Sequence, residues 1–284
     1  MPQRDSYAFT KMHGLGNDFV IFDARVKDIR LTRDDIRGIS DRKRGVGCDQ
    51  LIVIETSKNF FETNFMRIYN PDGSEAEACG NATRCVADIL MREDGVDQVV
   101  VETVVGALNC SRGGEGFVTV QMGEPKLKWN EIPLSQDCDT LHLPYPVTTG
   151  EPSDPAAVSM GNPHCIFFVD NIADKYGDDA VEKFGKRYET DPLFPNKTNV
   201  EFVEVLSPNH VRMRVWERGA GITQACGSGA CAVAVATIRR GLTGRKVRVS
   251  LDGGDLFIEW PDDNAQVAMT GPVAYSFNGI INME

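Results

Sequence analysis

The chain has no apolar run near the roughly 18 residues that a membrane-spanning helix requires, and no surplus of positive charge. Its net charge is −11, which argues against the basic face of a nucleic-acid binder but does not exclude a small anionic ligand held by local arginines and amides. None of the eight cysteines sits in a C-x-x-C pair, and there are only four histidines. Zinc ribbons, thioredoxin-type redox sites and His-rich metal sites therefore have little support. The opening residues, Met1-Pro-Gln-Arg-Asp-Ser-Tyr7, have neither the apolar core of a signal peptide nor the Arg/Ser-rich length of a transit peptide. A cytoplasmic protein with reduced thiols is the expectation.

What is present is a duplication. Met66-Arg-Ile-Tyr-Asn-Pro-Asp-Gly-Ser-Glu-Ala-Glu-Ala-Cys79-Gly-Asn81 aligns without a gap to Met213-Arg-Val-Trp-Glu-Arg-Gly-Ala-Gly-Ile-Thr-Gln-Ala-Cys226-Gly-Ser228. Each reads as a strand, a Gly-containing loop and Ala-Cys-Gly at the mouth of an Ala-rich helix. Gly16-Asn17 before Phe19-Val-Ile-Phe22 matches Gly161-Asn162 before Cys165-Ile-Phe-Phe-Val169. Met122 follows Cys79 by 43 residues, as Met269 follows Cys226. Such ordered agreement indicates two related halves, and 284 residues suffice for two small cores.

Helices are expected at residues 81–91 and 229–240, the second stopped by Gly241. Short β-rich runs such as 50–54, 99–103 and 246–249 surround them. Ala230-Cys-Ala-Val-Ala-Val-Ala236 is small and apolar all round, so strands should wrap this helix. Residues 126–157, rich in Pro, Asp, Ser and Thr, read as a linker with one strand at 140–143.

Cys79 and Cys226 stand where unsatisfied helix N–H groups favour an anion and lower a thiol pKa. The amides of Gly80, Asn81, Gly227 and Ser228 offer a carboxylate cradle. Two equivalent thiols suit an acid and a base on opposite faces of one carbon, which is racemase or epimerase chemistry. The plainer reading makes each a buried structural cysteine; the duplicated context argues against it. Cys85, Cys231, Cys48, Cys110, Cys138 and Cys165 need no function. The repeat breaks where Asn70-Pro71 faces Glu217-Arg218. Glu-Arg at a cleft mouth could bind an amino-acid zwitterion, or could be a surface ion pair of little worth. Asn17, Asn70, Asn162 and Asn199 sit in loop contexts as ligands or turn formers, and His13 and His164 could be structural.

Phe9-Thr-Lys-Met-His-Gly-Leu-Gly-Asn-Asp-Phe19, Asn70-Pro-Asp-Gly-Ser74, Ser159-Met-Gly-Asn-Pro-His164, Glu217-Arg-Gly-Ala-Gly221 and Cys226-Gly-Ser-Gly-Ala-Cys231 together resemble the diaminopimelate epimerases, over residues 9–279. The resemblance implies an α+β fold of two pseudo-symmetric halves, residues 1–125 with 271–284 and residues 126–270. Each half would be a curved sheet or barrel around a central helix, with the active site in the interdomain cleft. It implies a pyridoxal-phosphate-independent isomerase, without metal or other cofactor, that interconverts LL-2,6-diaminopimelate and meso-diaminopimelate on the route to lysine and peptidoglycan. Cys79 and Cys226 match the catalytic pair. Asn17, Gln50, Asn70, Asn162, Asn199, Glu217 and Arg218 match substrate-binding positions, with Gly80-Asn81 and Gly227-Ser228. Ala82 stands where the family usually has Gly; in a first helical turn it should need no positive φ.

On this reading one cysteine is the thiolate base and the other the thiol acid, their roles reversing with direction, and helix N-termini stabilise the developing charge. The partner is a small molecule, not nucleic acid or membrane, with a homodimer possible. Two rivals stay open: another cofactor-independent isomerase of proline-racemase type, and a thiol-exchange protein using the same cysteines.

Overall fold

In the computed structural model, residues 6–58, 63–76 and 79–283 are described. They divide into two units, Met1–Val120 with Gly271–Glu284, and Gln121–Thr270.

The first unit starts with β1 (Ser6–Gly14) and β2 (Asn17–Asp23), then α1 (Arg33–Ser40), β3 (Gln50–Thr56), β4 (Asn64–Tyr69) and the short β5 (Glu75–Ala76). Helix α2 (Gly80–Asp94) and strands β6 (Gln98–Thr103), β7 (Gly106–Gly114) and β8 (Phe117–Gln121) follow. Strand β2 is parallel to β3, and β4 parallel to β6. The pairs β1–β2, β3–β4, β6–β7 and β7–β8 are antiparallel. Leu15 and Gly16 turn the chain from β1 to β2 with φ of 57° and 82°. Two positive φ values give the primed turn whose twist suits a hairpin, and Asn17 is the first residue beyond it.

Helix α2 packs on β1, β2, β6 and β7, burying Cys85, Val86, Ala87, Leu90 and Met91 completely. The other sheet face is covered by α1, whose Ile36 and Ile39 pack with Phe22, Leu51 and Val53. Strands covered on both faces read as unbroken apolar runs, as in Leu51-Ile-Val-Ile54.

The second unit repeats the plan with β9 (Ala156–Ser159), β10 (Pro163–Phe168), α3 (Ile172–Lys175), α4 (Asp178–Glu189), β11 (Asn199–Ser207), β12 (His210–Glu217) and β13 (Gly221–Ile222). Then come α5 (Gly227–Arg239), β14 (Lys246–Leu251), β15 (Gly254–Glu259) and β16 (Ala268–Pro272). Again β10 is parallel to β11 and β12 to β14. Helix α5 packs on β9, β10, β11, β14 and β15, and every residue from Ala230 to Ala236 is fully buried. Helix α4 covers the other face, where Val181, Phe184 and Tyr188 meet Phe167 and Phe202. The last strand, β17 (Ala274–Asn282), pairs antiparallel with β1 in the first unit.

The duplicated α+β plan and the helix wrapped by strands are as expected, and the expected strands and both helices are present. Two expectations are corrected. No strand forms at 140–143; Leu143 N and Thr140 O bond to Pro155 and Ala157 outside any ladder. Nor is 126–157 a loose linker, because Ile132, Leu134 and Leu143 are buried in the second unit's core. Their wide spacing hides them from a periodicity search. Helices α1, α3 and α4 were not anticipated, although Thr32 and Asp35 form a full capping box. Glu77 and Ala78, inside the repeated motif, lie outside the described residues.

Ala82 is fully buried within α2 and is not among the residues of positive φ. Replacing it by Gly should therefore lower stability by about 1 kcal/mol without raising activity. A denaturant titration beside a rate measurement checks both; a tenfold activity gain would show a site shaped for glycine.

Candidate active site

Parallel pairing brings the first unit's polar residues together. Strands β2 and β3 start at the same end of the sheet, with Phe19 opposite Gln50. Strand β4 runs the other way and ends there, Tyr69 opposite Leu51. Asn17, Gln50 and Asn70 thus share one sheet end.

Cys79 is the extended N-cap of α2, at φ −151° and ψ 104°, and is partly exposed. Its Sγ lies 3.8 Å from Asn17 Oδ1, the acceptor. The Asn17 amide is fixed from behind, since its Nδ2 donates to Asp49 Oδ2 at 3.1 Å. Asn81 Nδ2 donates to the same Asn17 Oδ1 at 3.2 Å, and the fully buried Arg84 donates to Asn81 Oδ1 at 2.9 Å. Gly14 leaves room for that guanidinium, because a Cβ there would stand 2.9 Å from Nη2. Asp49 is held in turn by Arg42 at 2.6 Å and by the Asp18 amide at 3.0 Å. Burial would raise the Asp18 carboxyl, but hydrogen bonds from Arg42 and Lys11 outweigh it and hold it below the usual carboxylate range. Gln50 and Asn70 form a separate pair: Gln50 Nε2 donates to Asn70 Oδ1 at 3.2 Å, and Asn70 Nδ2 to Ser74 Oγ at 3.1 Å.

The second unit has the same plan with a different polar backing. Asn162 precedes β10, Asn199 opens β11 opposite His164, and Glu217 ends β12. Cys226 is the extended N-cap of α5, at φ −124° and ψ 110°, and is only 5% exposed. Its Sγ is 3.7 Å from Ser228 Oγ, which accepts from Asn162 Nδ2 at 3.3 Å. His164, fully buried, spans Asn162 Oδ1 at 3.0 Å through Nε2 and Glu201 Oε1 at 2.6 Å through Nδ1. With an acceptor facing Nε2, that nitrogen carries a proton, and one further proton lies between Nδ1 and Glu201. Whichever atom holds it, the pair is neutral as a unit. Gly229 is required for closeness: a Cβ there would stand 2.9 Å from Glu201 Oε1 and 3.2 Å from Cys226 Sγ.

Burial pushes the Cys226 thiol well up, and the carboxyls of Glu217 and Glu201 push it further than the Gly229 amide and Ser228 hydroxyl pull it down. Burial also raises Glu217, against hydrogen bonds from Thr223 and from Cys226 itself. The expectation that the helix N-terminus lowers this thiol is corrected for Cys226: burial and the neighbouring carboxyls outweigh the helix amides, and the thiol is a protonated donor. Asn199 is bonded elsewhere: its Nδ2 donates to Pro163 O at 3.0 Å, and its Oδ1 accepts the Arg218 amide at 2.9 Å. Gly80 and Gly227 are the first residues of α2 and α5, whose first-turn amides have no intrahelical acceptor.

In each unit, then, the expected residues gather at one sheet end: Asn17, Cys79 and Asn81 with the Gln50–Asn70 pair, and Asn162, Ser228 and Cys226 with Glu217, Asn199 and Arg218. Sequence reading missed Asp49, Arg84, Glu201 and Thr223. The one visible signal was charge inside apolar runs, as in Asn199-Val-Glu-Phe-Val203. Burial pushes Cys85 and Cys110 up to about 12, which fits a structural part.

A thiol with a raised pKa stays protonated until the pH passes that value, so Cys226 should alkylate slowly at neutral pH and faster as pH rises. The partly exposed Cys79 should react before Cys226 with iodoacetamide, as peptide mass spectrometry can show. Equal rates at neutral pH would contradict this arrangement.

The family model for diaminopimelate epimerase matches residues 9–128 and 156–276. A diaminopimelate epimerase of Rhodospirillum centenum is 52% identical over 95% of this chain and 91% of its own length. One from Gluconobacter oxydans is 48% identical over 96% and 98%. Among solved structures, a hydroxyproline epimerase from Agrobacterium vitis superposes with a TM-score of 0.71 over 99% of this chain and 94% of its own, at 13% identity. A phenazine biosynthesis protein of the PhzF family from Enterococcus faecalis gives 0.68 over 98% and 100%, at 12% identity. These two share the fold. With the family model spanning most of the chain and relatives near half identical along its length, the chain belongs to the diaminopimelate epimerase family.

Proposed function

We propose that this protein interconverts LL-2,6-diaminopimelate and meso-diaminopimelate by moving a proton at the α-carbon, with Cys79 and Cys226 as the two catalytic groups and no pyridoxal phosphate. The observation that carries the reading is that both cysteines are N-caps of equivalent helices, Cys79 beside Asn17 and Cys226 linked through Ser228 to Asn162, each asparagine amide being oriented from behind. In one direction Cys79, as thiolate, takes the α-proton while the Cys226 thiol delivers one to the opposite face. Reversal exchanges the roles, so the pair titrates as a unit. The carbanion is stabilised by the first-turn amides at Gly80-Asn81 and Gly227-Ser228, which bind the carboxylate as charge builds on it. Glu217 and Arg218, with Asn17, Gln50, Asn70, Asn162 and Asn199, hold the amino and carboxylate groups. A substrate with two amino-acid ends uses this full set, whereas a proline-like substrate has no use for a second.

Incubation with LL-diaminopimelate in deuterated water should place label at the α-carbon, in strong reductant and without pyridoxal phosphate. Changing either cysteine to Ser should cost on the order of 10³-fold in epimerisation, as loss of a general acid or base does. A hydroxyl is too weak an acid to act as the base. Near-normal turnover by Cys79→Ser would remove it from the pair.

We further propose a cytoplasmic homodimer. Among the described residues no helix is long and apolar enough to cross a membrane. Strand β17 pairs with β1 and exposes Tyr275, Phe277 and Ile280; an apolar strand of this kind is commonly covered by a second chain. Sedimentation should give twice the chain mass, and Phe277→Glu should shift it toward the monomer; a wild-type monomer at micromolar concentration would refute the dimer.

A further inference from the structure

We infer that Glu189, the last residue of α4, is a positioning residue that sets the turn carrying Glu217 and Arg218 and thereby selects the far amino-acid end of the substrate. The inference rests on the reading of Glu217 and Arg218 as substrate-binding groups. Glu189 is 7% exposed and its two carboxylate oxygens are divided between the two sides of that turn. Oε2 accepts from Trp216 Nε1 at 2.7 Å, immediately before Glu217. Oε1 accepts from the Gly219 amide at 3.1 Å, immediately after Arg218. Lys197 Nζ stands 3.6 Å from Oε1, and the Glu189 carbonyl accepts from Thr198 N at 3.1 Å.

Three further features show that the arrangement is built. Gly185, one helical turn before Glu189, brings the Trp216 ring onto α4; a Cβ there would lie 2.4 Å from Trp216 Cβ and Cγ. Gly219 has φ of +76°, which aims its amide at the carboxylate in a conformation that other residues rarely adopt. Asn199 Oδ1 takes the Arg218 amide at 2.9 Å, and Asn196 O takes Arg218 Nη1 at 3.1 Å. Burial raises the Glu189 carboxyl, but the Trp216, Gly219 and Lys197 donors outweigh burial and keep it ionised below the usual range. A carboxylate alone offers a strong acceptor in both directions here. An amide offers one oxygen and one NH₂, so Gln must leave either Trp216 or Gly219 facing a donor.

The test is Glu189→Gln in the full chain. The expected result is a KM for diaminopimelate raised about tenfold with kcat within about threefold, the pattern of lost uniform binding. Discrimination against an analogue lacking the distal amino group should narrow, which a purely structural role would not cause. The Gly219 amide and Trp216 indole N–H should also lose hydrogen-exchange protection, a readout independent of substrate. Glu189→Asp, which keeps both acceptor oxygens, should recover part of the KM. If Glu189→Gln does not fold, Trp216→Phe removes one donor and should raise KM about threefold with kcat held. Unchanged KM and unchanged exchange would overturn the inference. Wild-type protein inert toward diaminopimelate would instead refute the substrate reading, and the exchange data would still judge the clamp.

Discussion

Two parallel neighbouring strands cannot be joined by a hairpin; the chain must travel back the length of the sheet before the second can start. Strands β2 and β3, and β10 and β11, are both joined this way, through α1 in one unit and α3 and α4 in the other. The return puts the beginnings of both strands at the same sheet end, and the antiparallel strand that follows delivers its last residue there too. The loop then needs only a short span to set a cysteine on a helix N-terminus. Asn17, Gln50 and Asn70, far apart in the sequence, come to one sheet end through register alone, and Asn17 there meets Cys79. In the second unit the same register gathers Asn162, Asn199 and Glu217 at one sheet end.

The units differ in what stands behind the asparagine. Asp49 orients Asn17 within a partly exposed network of Lys11, Asp18 and Arg42. Asn162 is oriented by His164 and Glu201, both fully buried. The first device fixes an amide with solvated charge; the second does so with an overall neutral pair. A neutral backing suits the buried sulfur, since a full uncompensated charge there would be costly. Equivalent positions thus hold chemically unequal thiols, with Cys226 protonated and Cys79 more open to solvent.

Much of this was legible because duplication is a global signal that tolerates local noise. The two Ala-Cys-Gly motifs located both helix starts within two residues, and small residues from Ala230 to Ala236 revealed a helix buried on every side. The connecting helices were less visible: α4 has a mixed surface, and Gly185 in its middle reads as a helix breaker. Its reason is the Trp216 ring, contributed from another strand. Glu201 and Arg84 were missed for a related cause. A buried charge is explained only by the partner that neutralises it, and these partners depend on strand register or the packing of a Gly14 backbone. The apolar residues of 126–157 follow no period because they fill gaps around α4 instead of forming an element.

Strand β17 has a consequence for the order in which the chain is built on the ribosome. Its pairing with β1 runs from Ser6 with Asn282 to His13 with Ala274, joining a strand that precedes the second unit to one that follows it. The second unit is one continuous segment, Gln121–Thr270, and is entirely synthesised before β17 is made. The first unit, although translated first, keeps an open β1 edge until β17 leaves the exit tunnel. Vectorial synthesis therefore finishes the later half before the earlier one, and the exposed edge of β1 is the nascent chain's longest-lived opportunity for mispairing.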